Sequence, residues 1–142
     1  MGEQNFKNHS RYVPMYHFVA SSLLLAILIG SIVNLVNSSR ENLYSASLLV
    51  AISVLLFIFF WYARAFALKA QDRAIRAEEN LRHFILSGKP LDSRLRLSQV
   101  IALRFAPDDE FIELAIKAAN ENMSSKEIKL AIKKWKADHH RV

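Results

Sequence analysis

Between Arg11 and Arg40, and again between Glu41 and Arg64, the chain carries no charged side chain. Either stretch can cross a bilayer, since a hydrocarbon core of about 30 Å takes about 20 apolar helical residues, and only a helix or a closed barrel satisfies its own backbone in lipid. Cysteine is absent altogether, which excludes a disulfide framework, a thiolate metal site, a thiol nucleophile and cysteine redox chemistry. The two apolar stretches also lack a central His, so the intramembrane ionisable groups that proton relays and charged-substrate paths use are missing. Glycine and proline number three each; neither falls between Arg64 and Leu86. Nothing in the chain resembles a phosphate loop, a nucleophile elbow or a paired-carboxylate site.

What is present is an uneven charge. Of the 19 Lys and Arg, 16 lie from Arg64 onward, Lys7 and Arg11 precede the first apolar run, and only Arg40 lies between the runs. The positive-inside rule therefore predicts both termini in the cytoplasm and the Asn37 to Asn42 turn outside. The first run is too long for a signal-peptide h-region, no small-residue cleavage site precedes Arg40, and a second run follows at once, which reads as an uncleaved anchor. Tyr12, Tyr16 and Phe18 on the way in, Tyr44 at the outer turn, and Trp61 and Tyr62 on the way out stand where interfacial belts belong. Pro14 fits the first turn of the first helix, where a missing amide donor is harmless.

The expected fold is all-α: a transmembrane helical hairpin whose second helix extends into the cytoplasm, followed by a small cytoplasmic cluster of short helices. The expected divisions are a cytoplasmic tail at 1–13, the hairpin at 14–63, the helix extension at 64–88 and the helical domain at 89–142. A single helix from Leu43 to Ser87, stopped by Gly88 and Pro90, would be about 65 Å long at about 1.5 Å per residue. Beyond Pro90, Ser98 is placed to cap a helix running to Phe105. Pro107 and Asp108 open another, with Phe111, Leu114, Ala115 and Ala118 on one face. Ser124 and Glu127 form a capping box and Met123 with Ile128 a hydrophobic staple, so the last helix should bury Ile128, Ala131, Ile132 and Trp135. Short helices are marginal alone, so the expected core (Phe105, Phe111, Leu114, Ile128, Ile132 and Trp135) is joined by Ile75, Phe84 and Ile85 of the long helix.

Two seams are the candidate sites. Ser22, Ala26, Gly30 and Asn34 recur every four residues, a small-xxx-small surface that lets backbones approach in lipid. It suits either packing against the second span or contact with another subunit. Ala63, Ala67, Ala70, Ala74 and Ala77, continued by Leu81 and Phe84, follow the alternating 4,3 spacing of a coiled coil; traced backward the stripe meets Phe60, Leu56, Ser53 and Ala46. Here the neighbour is either the chain's own cytoplasmic helices or a second copy. Asp72 with Arg76 and Glu78 with Arg82 read as a solvated face. Asp138-His139-His140 is the one local imidazole cluster, but adjacent helical residues point about 100° apart, so no metal site is assigned. The lysines of the last helix come without interleaved Arg, Asn or Gln for base edges, and anionic lipid explains them better than nucleic acid.

His9-Ser10-Arg11-Tyr12 with Tyr16-His17, the run Arg64 to Phe84 containing Ala-Leu-Lys-Ala-Gln-Asp-Arg-Ala, Ala102-Leu103-Arg104-Phe105-Ala106 with Phe111, and Trp135 to Val142 carry a resemblance over nearly the whole chain. In these stretches the chain resembles an uncharacterised family of small two-pass bacterial membrane proteins, a domain of unknown function. The resemblance implies a bacterial cytoplasmic membrane and supplies no activity. The expected function is a non-enzymatic oligomeric inner-membrane scaffold or accessory protein, without cofactor or metal. Its partners would be the bilayer, further copies of itself and a protein at the cytoplasmic helices, with no nucleic acid. The alternative is a small oligomeric channel with a Ser/Asn-lined pore, although the spans offer no carbonyl filter or charged ring.

Overall fold

The computed structural model describes residues 5, 6 and 12–138. Lys7, His9, Arg11, His139 and His140, used above for charge asymmetry, resemblance or metal binding, lie outside the described residues. The described residues are all-α and contain no strand. A π-helical stretch, Met15–Ala20, leads into α1 (Ser21–Val36); α2 (Leu43–Ser87), α3 (Leu97–Leu103), α4 (Asp108–Asn120) and α5 (Ser125–Ala131) follow. The chain forms two compact units, one over Tyr12–Ala67 and one built on the residues from Leu68 onward. Two helices, Met15–Val36 and Leu43–Ser87, are long and apolar enough to cross a membrane.

In the first unit, α1 is ended by its own polar side chains. Asn37 Nδ2 donates to the Val33 carbonyl at 2.8 Å, which also accepts the Asn37 amide at 3.1 Å, and Ser38 Oγ donates at 2.6 Å to the Asn34 carbonyl, an acceptor that the helix C-terminus leaves open. The chain then turns, with the Asn42 amide on the Ser39 carbonyl, and α2 begins. Ser31 and Ser53 are buried and meet at 3.1 Å. One hydroxyl donates across the contact while the other satisfies the carbonyl three residues behind it, Leu28 or Val50. Tyr16 stacks on Phe60 with ring centroids 4.1 Å apart, its hydroxyl donates to the Phe60 carbonyl, and Arg64 lies 5.5 Å over the same ring.

The second unit begins with the rest of α2, which closes at Gly88. Its φ of +73° is the left-handed conformation a helix C-terminus favours, and its amide returns to the Phe84 carbonyl at 2.8 Å. The core is Leu95, Val100, Ala102, Leu103, Ala106, Phe111, Leu114, Ala115, Ala118 and Ile128. The expected face of α4 is therefore the buried one. Phe105 is fully buried and Ile75 is 7% exposed. Phe84 and Ile85, expected in the core, are 52% and 73% exposed. The buried face of α2 runs through Ile75, Glu79 and His83 instead, and the next two helical positions turn away from it by about 100° each.

Two local expectations also change. Ser98 lies inside α3 rather than capping it; the N-terminus is held by Gln99, whose Oε1 accepts the Arg96 amide at 2.7 Å while its Nε2 donates to the Met123 carbonyl at 2.7 Å. One buried amide thus closes α3 and ties it to the loop before α5. That next helix keeps its capping box, with the Glu127 amide on Ser124 Oγ and the Ser124 amide on the Glu127 carboxylate. It ends at Ala131, so Ile132 and Trp135 are not on a helical stripe. Glu110 explains the stop: its two carboxylate oxygens accept the Lys133 and Lys134 amides at 2.9 Å each. The Phe105 carbonyl accepts the Lys136 amide at 2.8 Å, and Trp135 stacks on the Phe105 ring at 4.6 Å. Tertiary acceptors take the donors a longer helix would need.

Candidate functional site

The first seam lies on the side of α1 that its neighbour leaves bare. Besides Ser21 at its start, Leu24, Leu28, Ser31 and Leu35 are the residues of α1 that are wholly or partly covered; Ser22, Ala26, Gly30 and Asn34 are all exposed. At about 100° per residue the two rows stand about 150° apart around the helix. A Cβ built on Gly30 meets nothing within 4 Å. Packing against α2 runs through Ser31 and Ser53 rather than through this seam, so the contact with the second span offered above is not its use within the chain.

The second seam divides. In the first unit, Ala46, Val50, Ser53, Phe57, Phe60, Arg64 and Ala67 are buried or half-buried at alternating spacings of four and three, the pattern of knobs meeting a neighbouring helix. The backward trace of the alanine stripe, Phe60, Ser53 and Ala46, belongs to this covered row, whereas Leu56 and Ala63 are exposed. In the second unit, Ala70, Ala74, Ala77, Leu81 and Phe84 are exposed, and the short helices cover the other side of α2. The reading in which those helices fold over the alanine row is corrected: Ile75, Glu79 and His83 attract them.

The polar contacts that seat α2 in that unit were not legible as a site. Arg82, expected on a solvated face with Glu78, is largely enclosed. Its Nη1 bonds Glu79 at 3.0 Å, its Nε bonds Asp108 at 2.7 Å and its Nη2 donates to the Ala106 carbonyl at 2.8 Å. The guanidinium also lies 4.3 Å over the Phe111 ring. His83 meets that ring edge-on at 5.9 Å and lies with Nδ1 2.7 Å from the Lys89 carbonyl, to which it donates; Asn80 Oδ1 accepts the Leu91 amide at 2.9 Å. A Glu-x-x-Arg pair on a helix, followed by an acidic residue opening a later helix, was the available signal. Both Glu78 and Glu79 are within reach of Arg82, and sequence does not choose between them.

Beside His83 a cleft of about 390 Å³ opens, lined by Ser87, Lys89, Arg94, Leu95, Ile112 and Asn120 among others. Asp92 at its rim is held down to about 2 by hydrogen bonds from the Arg94 side chain and amide. Asp109 is lowered by Lys134, whose ammonium is raised in return, and Glu127 is lowered by the Ser124 amide and hydroxyl it bonds. Each carboxylate is thus already committed to a structural partner. Asp138, from the expected imidazole cluster, pairs with Arg104 at 3.2 Å. Among the described residues no three His, Cys, Asp or Glu side chains gather as a metal site.

These observations define a class: an all-α protein with two membrane-length apolar helices and a small helical cluster held by its own hydrogen bonds and ion pairs. The chain belongs to the family of unknown function DUF6526, whose family model matches residues 1–142. No curated protein and no solved structure matches it.

Proposed function

We propose that this chain is a non-enzymatic scaffold or accessory subunit that self-associates in the bacterial cytoplasmic membrane. It would span the bilayer as a hairpin, with the residues from Leu68 onward in the cytoplasm and both termini on that side. The exposure of the two apolar helices supports insertion: only 6% and 11% of their apolar windows is buried within the chain, whereas the core helix of a soluble protein buries most of its own. Outward-facing Tyr12, Phe18, Tyr44, Trp61 and Tyr62, each more than half exposed, suit interfacial belts. A reporter active only in the cytoplasm, fused after Val142, should be active. Activity of a periplasmic reporter at that junction would overturn the topology.

The observation that carries self-association is the bare seam at Ser22, Ala26, Gly30 and Asn34, which faces away from the chain's own second helix. Lipid tails fill a small-residue groove poorly, and a second helix fills it well. Since the chain has no cysteine, Ala26→Cys should give disulfide-linked dimers in oxidised membranes and Leu25→Cys, about 100° away, should not. Gly30→Leu should abolish the Ala26→Cys product without disturbing the chain's own packing, because the space around Gly30 is open. Equal linking from both cysteine positions would sink the reading. Ser22 and Asn34, polar and exposed on the same face, favour the second reading of a pore; it requires a ring of several copies, and a solubilised monomer or dimer rules it out.

A further inference from the structure

We infer that the outer face of α2 in the second unit is the seat of a second copy of this chain, paired parallel and in register, with Arg73 of each copy against Glu78 of the other. The inference rests on the membrane reading above, because two copies inserted the same way can present this continuous helix to each other only in parallel.

The face is apolar where the fold needs no apolar residue. Leu81 is 59% exposed and Phe84 52%, and Ala70, Ala74 and Ala77 continue the row toward the first unit. The row centres about 150° around the helix from Ile75, Glu79 and Arg82, taking about 100° per residue, so a neighbour seated on it lies on the side away from the short helices; only the margins of the row, Arg73 with Ala77 and Glu78 with Leu81, border clefts that also touch Val100 and Asp108. Spacings of 4, 3, 4 and 3 between Ala70 and Phe84 keep one seam facing a partner. Alanine lets two axes approach to about 8 Å, and Leu81 with Phe84 adds area at the end of the row.

Charge selects the occupant and the orientation. Arg73 flanks the row by about 60° on one side and Glu78 by about 80° on the other, taking about 100° per residue. Both are exposed. A separation of five residues, from the position before one seam residue to the position after another, is the spacing at which parallel two-stranded coils place charges across their seam. Two-fold symmetry makes the pair twice, Arg73 to Glu78 and Glu78 to Arg73. An antiparallel copy, or a helix of uniform charge, does not complete both flanks.

The test uses the full chain in vesicles of phosphatidylethanolamine and phosphatidylglycerol, labelled for energy transfer between copies. Arg73→Glu or Glu78→Arg should each weaken association about tenfold, since two attractions become two repulsions, and the double exchange should restore it to within about threefold. In membranes Ala77→Cys should link to itself and Lys69→Cys, off the row, should not. Failure of the double exchange to recover association would overturn the register. Linking at Ala26→Cys without linking at Ala77→Cys would overturn this inference and leave the scaffold standing. Linking at neither site would end both.

Discussion

Phe105→Ala should be the most damaging single substitution in the second unit, costing about 3–5 kcal/mol, the usual range for truncating a buried aromatic. The ring is fully buried, and more than a cavity follows from its loss. It carries the stack with Trp135 at 4.6 Å and lies under the Arg104 guanidinium at 4.7 Å, so the tail after α5 and the end of α3 lose their common support. Trp135→Ala should cost less, because Trp135 is only half-buried. Hydrogen exchange on the full chain reads this directly. With Phe105→Ala, amides of residues 97–131 should lose protection while those of residues 21–60 keep theirs. Protection retained across α4 and α5 would show that the core does not depend on this ring.

Arg82→Ala should cost about 3 kcal/mol, near the lower end for breaking an enclosed ion pair and leaving one charge behind. Glu79 is 7% exposed and would keep its carboxylate without the guanidinium beside it. Asp108 and the Ala106 carbonyl lose donors in the same step, and the Phe111 ring loses the cation over its face. Adding Glu79→Gln should recover a good part of the loss, because the stranded charge is what makes the single change severe. Arg82→Lys should rescue little: a single ammonium cannot address three acceptors and a ring face together. The measurement is the shift in thermal unfolding of the solubilised protein, with protection of α4 amides as the local readout. A cost under about 1 kcal/mol would mean that Arg82 is a surface pair of the ordinary kind.

What could be read from the chain was written in local chemistry. α2 runs from Leu43 to Ser87 as expected, because helix-forming residues continue unbroken to a glycine that can take the left-handed turn. The Ser124 and Glu127 box is likewise a matter of residues three apart. The end of α5 was not legible, since it depends on Glu110, more than twenty positions earlier, accepting two amides. Ser98 was the one cap legible at the start of α3, and Gln99 holds that end instead because its amide also reaches the Met123 carbonyl, more than twenty positions later. The small-residue spacing on α1 was plain, but its direction was not. That helix is apolar nearly all round, so periodicity cannot say which side its neighbour will take, and a single serine pair at Ser31 and Ser53 fixes it.

The tail after α5 is fastened through its main chain. The Lys133, Lys134 and Lys136 amides make the bonds to Glu110 and Phe105, and the side chains of Lys133 and Lys136 are exposed. Any residue other than proline supplies the same N–H. Substitution at 133 and 136 should therefore cost the fold little so long as proline is avoided, whereas a replacement of Glu110 that lacks two acceptor oxygens should leave at least one of those amides without its bond. Evolution can tune the charge of this margin, residue by residue, without consulting the fold beneath it.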